Sequence, residues 1–178
     1  MNKKEILEFS ERNYITTNQW IEFADKKATF ILSAVLALFS VSLTLAPMLK
    51  KIIIDLILKT EAPLAFLGYL LIFFSVAYIS LVSITLNHLV NIIYPKLKPQ
   101  SKRKSLLFFQ TIDRMEMKQF KNNVLKLKQN DLIDEFLDQT YNNSVIAVQK
   151  FKQIEKSISY LKWSFLLGLL LVLVGIIN

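Results

Sequence analysis

The 178-residue chain carries 22 Lys and Arg against 14 Asp and Glu, no Cys, one His, three Gly and four Pro, and its mean hydropathy is +0.37. A positive mean hydropathy on so short a chain points to the bilayer. The missing cysteines exclude disulfides, thiol nucleophiles and thiolate metal sites, and a lone His excludes multi-histidine sites. With glycine only at Gly68, Gly168 and Gly175, neither a P-loop nor a dinucleotide-binding turn can be written.

Residues 1–27 read as a helix entering a membrane span without a break. Leu7, Ser10, Tyr14, Thr17, Ile21, Ala24 and Ala28 recur at three- and four-residue steps and form a packing seam. From Ala28 to Leu49 there is no charged residue, a run long enough for one crossing at ~20 residues. Pro47 is the first breaker in the chain. The stretch 50–61 is too short to cross. Asp55 among its apolar residues predicts an amphipathic helix lying at the outer interface, with a fourth crossing as the rival reading.

Span 2 covers 63–93, uncharged apart from the titratable His88. At ~1.5 Å per residue it outreaches a ~30 Å hydrocarbon core and must tilt or project. His88, among Leu86, Leu89 and Val90, reads as a helix-contact residue, with a proton or ligand role as the alternative. Ser80, Ser83, Asn87 and Asn91 share one helix face, and Ser33, Ala37, Ser40 and Thr44 make a similar stripe on span 1. Such stripes line pores or mediate close helix packing.

Between Tyr94 and Ser105 two prolines and five basic residues mark an irregular exit from span 2. The run Lys96, Lys98, Lys102, Arg103 and Lys104 reads as a topology and headgroup signal, and a nucleic-acid partner is not expected. A helix is predicted near Thr111–Lys128. Asn130–Asp131 then caps a single helix of about 46 residues, Leu132–Ile177, roughly 70 Å long. Its seam is Ile133, Phe136, Thr140, Ala147, Phe151, Ile154, Ile158 and Leu161. The last crossing is 158–177.

The sequence thus predicts an all-α membrane protein, one domain over 1–178, with three transmembrane helices and a cytoplasmic helical bundle continuous with the spans. The bundle comprises 1–27 and 94–157. Three crossings put 1–27 and 96–162 on one side, which holds 19 of the 22 basic residues. The positive-inside bias makes that side the cytoplasm, with the N-terminus inside. Five acids before the first apolar run argue against a cleaved signal peptide. No carboxylate pair adjoins a nucleophile, and an enzyme is not expected.

Three stretches, in order, resemble a known family. Residues 24–28, ADKKA, resemble the Ala-Asp-x-Lys-Ala signature of Pycsar transmembrane effectors. Residues 106–112, LLFFQTI, resemble the family's aromatic pair after the second span. Residues 139–151, QTYNNSVIAVQKF, resemble its Gln…Ser-x-Ile-Ala-x-x-Lys-aromatic pattern ahead of the last span. The resemblance implies an antiphage effector. It would sense cyclic UMP or cyclic CMP from a neighbouring pyrimidine cyclase and disrupt the inner membrane as a homo-oligomer, in abortive infection.

The signature falls on Asp25, Lys27, Ala28, Phe108, Phe109, Gln139, Ser144 and Lys150. On that reading Lys27, Arg103 and Lys150 neutralise a cyclic phosphate, while Gln139 and Asn143 hydrogen-bond a pyrimidine edge. Phe108 or Phe109 stacks on the base. A structural ion pair at Asp25 and Lys27, and a core role for the aromatic pair, are the plainer alternatives. The competing functions are a non-toxic membrane adaptor acting through its long helix and an ordinary channel or transporter.

Overall fold

The computed structural model describes residues 2–59, 62–94, 105–107 and 109–177. They form five helices and, among the described residues, no strand: α1 Lys3–Lys59, α2 Ala62–Ile93, α3 Phe109–Asp113, α4 Met117–Leu125 and α5 Gln129–Ile177. Helices α1, α2 and α5 are long and apolar enough to cross a membrane, as the three charge-free runs predict. Two compact units arise, each from discontinuous chain: Met1–Asp25 with Pro95–Phe151, and Lys26–Tyr94 with Lys152–Asn178.

A reciprocal cap starts α1. Asn2 Oδ1 accepts from the Glu5 amide at 2.9 Å, and Glu5 Oε2 accepts from the Asn2 amide at 2.9 Å. The helix then passes through Pro47 and ends at Lys59, so the 50–61 segment is, as far as Lys59, the tail of α1 rather than a separate element. The proline ring already holds a helical φ, and the helix forfeits one hydrogen bond there. In an apolar surrounding, unwinding would orphan several more backbone groups.

In the second unit the part of α1 beyond Lys27 is as long as α2, 32 residues. Each arm therefore spans about 48 Å, more than a ~30 Å hydrocarbon core. The arms run antiparallel, with Ser42 against Tyr78 (Oγ to phenolic oxygen 2.6 Å) and Ile57 against Gly68. On α2 the buried face is Leu71, Tyr78, Val82, Thr85, Leu89 and Ile92. Ser80, Ser83, Asn87 and Asn91 lie on the exposed face, as do Ser33, Ala37, Ser40 and Thr44 on α1. Neither stripe lines an interior within one chain. The serine and threonine hydroxyls of both stripes donate to carbonyls of their own helices. His88 is a helix contact: its Nδ1 lies 2.6 Å from Gln153 Oε1 and its ring stacks on Tyr160 at 5.5 Å between centroids.

Helix α5 is unbroken at Lys156 and begins slightly earlier than Leu132. The Asp131 carboxylate accepts from the Lys128 amide at 3.2 Å, closing its first turn. The expected seam holds through Ile133, Ala147 and Ile154, but Ile158 is exposed and Ser157 and Ser164 are buried in its place. Against lipid tails an isoleucine gains nothing by turning inward, whereas small residues let helices approach closely. The predicted Thr111–Lys128 helix is two short helices. The Met115 amide closes a turn onto Ile112 O at 3.0 Å, and Glu116 is extended at ψ 143°.

Gly168 on α5 faces the Tyr78 ring: a Cβ there would lie 3.1 Å from Cε2. A notch of about 130 Å³ adjoins it, lined by Val35, Ser42, Tyr78, Leu161 and Ser164. Gly168→Val is expected to displace the ring and break its bond to Ser42, destabilising the chain in detergent by about 1–3 kcal/mol. Ser42→Ala, which removes only the bond, is expected to lose about 0.6 kcal/mol. Equal thermal unfolding midpoints for the two variants would contradict this assignment.

Candidate functional site

The first unit is organised by α1 and α5, which lie parallel at a constant sequence offset. Asn18 meets Asn143 and, seven residues on, Asp25 meets Lys150. Asn143 Nδ2 donates to Asn18 Oδ1 at 2.7 Å. Lys150 Nζ donates to Asp25 Oδ1 and forms an ion pair with it. Seven residues are close to two helical turns, so both polar pairs sit on one seam, as in a coiled coil. Between them Ala24 and Ala147 are buried, and small side chains there hold the backbones close. Tyr14 and Phe136, with centroids 5.6 Å apart, continue the seam toward the start of α1.

Burial gives the ion pair its weight. The Lys150 side chain is 5% exposed and that of Asp25 40%. An ammonium held that far from water needs a hydrogen-bonded counter-charge, and removing one partner costs far more than the pair contributes. Trp20, Phe23 and Phe151 form an aromatic trio beside it, with centroids 6.2–6.4 Å apart. Trp20 and Phe23 are half exposed.

A second polar group on α5 clasps the chain that leads into α3. Gln139 Nε2 donates to Ser105 Oγ at 2.9 Å, with both residues buried. Ser105 Oγ also accepts from the Leu107 amide at 3.2 Å, and Glu135 Oε1 accepts from the Leu106 amide at 2.9 Å. Next to Gln139, the Thr140 hydroxyl is buried and has no hydrogen-bond partner among the described residues. Such an orphan costs free energy until something satisfies it.

Of the candidate residues, Asp25, Asn143 and Lys150 thus lie along the α1–α5 seam of the first unit, while Gln139, on α5, is bonded to Ser105 instead. Ser144 is half buried, its hydroxyl donating to Thr140 O at 2.7 Å on its own helix. Lys27 belongs to the second unit, is exposed, and has no hydrogen bond or ion pair among the described residues. The alternative pairing of Asp25 with Lys27 is not what the structure contains: the partner is Lys150. Phe109 opens α3, while Arg103 and Phe108 lie outside the described residues, as do Lys96, Lys98, Lys102 and Lys104. Asn18, Ser105 and Glu135 were not among the candidates. The matched spacing of Asn18 and Asp25 with Asn143 and Lys150 was the available signal for the first. The residues after a proline-rich exit carry no such periodicity, which hides the other two.

The family profile described as "Pycsar effector protein domain" matches residues 9–177. Over 57 residues the chain is 40% identical to the Pycsar effector protein GmPycTM of Gulbenkiania mobilis. That stretch is 32% of this chain and 29% of the relative, so the match spans less than a third of the relative's length. No solved structure matches the chain.

Proposed function

The chain belongs to the Pycsar effector protein family, and from that premise we propose that it is a non-enzymatic antiphage effector of the inner membrane. It senses cyclic UMP or cyclic CMP on the α1–α5 seam and responds by breaking membrane integrity, acting as a homo-oligomer. The nucleotide comes from a pyrimidine cyclase, and the target is the bilayer in which the effector sits.

The observation that carries this reading is the Asp25–Lys150 pair, a buried ammonium within a seam of further polar groups. A seam built only for stability would be apolar, since a buried pair is often no better than packed hydrocarbon. A cyclic phosphate is an anion able to replace the Asp25 carboxylate on Lys150. The side-chain amides of Gln139 and Asn143 and the orphan hydroxyl of Thr140 offer donors and acceptors to a pyrimidine edge. Exchange of one anion for another re-pairs the seam without stranding the ammonium. Because α1 and α5 each contribute to both units without a helix break, the exchange has a route into the spans.

Isothermal titration of the detergent-solubilised protein tests the reading. Cyclic UMP or cyclic CMP is expected to bind the parent, and Gln139→Ala and Lys150→Met are expected to lose that binding while remaining helical and monodisperse. Binding of cyclic dinucleotides instead, or unchanged affinity in both variants, would refute the site.

Orientation follows from the 19-to-3 asymmetry of basic residues. A cysteine replacing the exposed Tyr141 is expected to resist a membrane-impermeant thiol reagent in intact cells, whereas Asn178→Cys is expected to react. Labelling at position 141 from outside would reverse the topology.

A further inference from the structure

Helix α4 carries an apolar face that the chain itself leaves uncovered: none of its residues is buried. Met117, Phe120 and Val124 share that face at steps of three and four residues, and Leu125 borders it. Met117 is 79% exposed and Leu125 74%. Lys118 and Lys121 flank the face, and Lys126 and Lys128 follow. All four lysines are exposed, and none has an ion pair among the described residues. The apolar span of α5 starts near residue 158, so roughly 40 Å of helix separates α4 from it, and the face meets water rather than lipid. A second uncovered face lies on α5. Leu137 and Tyr141, one turn apart, are both exposed, Tyr141 by 67%. Exposed Asp138 adjoins them, and exposed Asp131 precedes it by two turns. Residues 114–128 hold five basic residues and one acid, whereas residues 129–138 hold four acids and no base.

We propose that these two faces meet between copies of the chain: α4 of one copy docks on the 131–141 face of α5 in a second. Apolar patches in water, rimmed by charge, mark protein contacts. Charge selects the occupant and the mode. Pairing α4 with α4 opposes lysines to lysines, and pairing the α5 face with itself opposes acids to acids, so both isologous contacts repel. Pairing α4 with the α5 of the next copy brings Lys118 and Lys121 to Asp131 and Asp138. The centre of that contact is apolar, with Met117, Val124 and Leu125 against Leu137 and Tyr141. Only three residues separate α4 from α5, so the two faces stand near one level along the long helix, as a ring of parallel copies requires. Each copy gives one face and receives the other. A nine-residue helix is marginal in water, and burying one face stabilises it. The contact deepens the homo-oligomer of the proposed function and rests on that part of it, not on nucleotide sensing.

The cysteine-free chain permits a direct test on the full-length protein in detergent, with single-cysteine variants and a mild oxidant. A mixture of Val124→Cys chains with Leu137→Cys chains is expected to form the mixed disulfide dimer, with or without cyclic UMP. Neither variant alone is expected to cross-link. Lys118→Glu with Lys121→Glu, introduced into both chains, is expected to cut the mixed yield about tenfold by opposing like charges. Adding Asp131→Lys and Asp138→Lys to the same chains is expected to restore it. A dominant 124–124 disulfide, or no rescue by the second pair of reversals, would overturn the proposal. Light scattering separates its failure from that of the proposed function. Oligomers without the 124–137 disulfide would overturn the α4–α5 contact alone, and a monomer at every concentration would overturn the homo-oligomer with it.

Discussion

Asp25→Ala is expected to destabilise the chain by about 2–4 kcal/mol, whereas Lys150→Met is expected to stay within about 1 kcal/mol of the parent. The asymmetry comes from burial. Removing the carboxylate strands an ammonium whose side chain is 5% exposed. Removing the ammonium leaves a carboxylate that is 40% exposed and able to recover water, while the methionine fills the space of the lysine stem. The partial exposure of Asp25 places the first figure below that of a fully buried pair. Thermal unfolding followed by far-ultraviolet circular dichroism in detergent measures both. Equal losses would mean that the buried ammonium is not what the carboxylate compensates. The stable Lys150→Met variant is also the useful one for function, since it should be folded and blind to nucleotide.

Two glycines inserted between Lys156 and Ser157 are expected to leave nucleotide binding intact and to abolish membrane permeabilisation. The insertion costs about 1 kcal/mol per glycine in helix propensity, a minor effect. Its main consequence is geometric: two residues turn everything beyond them by about 200°. Ser157, Ser164 and Leu171, buried on α5, would rotate away from their neighbours, while Asn143 and Lys150 would keep theirs. A ligand opens a membrane only by binding the open arrangement more tightly than the closed one, and that preference must reach the spans. Killing unchanged by the insertion would exclude α5 as the route. Ligand-driven clustering of spans already competent to disrupt the bilayer would then replace it.

Much of this architecture was legible because its signals are local. Charge-free runs set the spans, and the absence of Pro and Gly from Leu132 to Leu167 set the uninterrupted α5. Pro47 misled because a proline marks a break only where water can satisfy the freed backbone. The break at Arg114–Glu116 has no Gly or Pro to announce it, and composition alone reads helical throughout. Ile158 was placed inward by a rule learned from water-soluble cores, which fails where the solvent is lipid. At the candidate site, the motif singles out Lys150, but its burial was not legible, because pairing depends on Asp25 arriving from more than a hundred residues away. Lys27, two positions from Asp25, carries the same charge as Lys150 and lies exposed. Helical phase, which short motifs do not encode, separates the two lysines.

The measurement that bears most directly on the central claim is dye release from liposomes containing the purified protein. Cyclic UMP or cyclic CMP is expected to release the dye from vesicles carrying the parent. Neither nucleotide should act on vesicles carrying Lys150→Met, and cyclic AMP and cyclic GMP should leave both intact. Retention of the dye by the parent at saturating cyclic UMP and cyclic CMP, with the protein correctly inserted, would contradict the account.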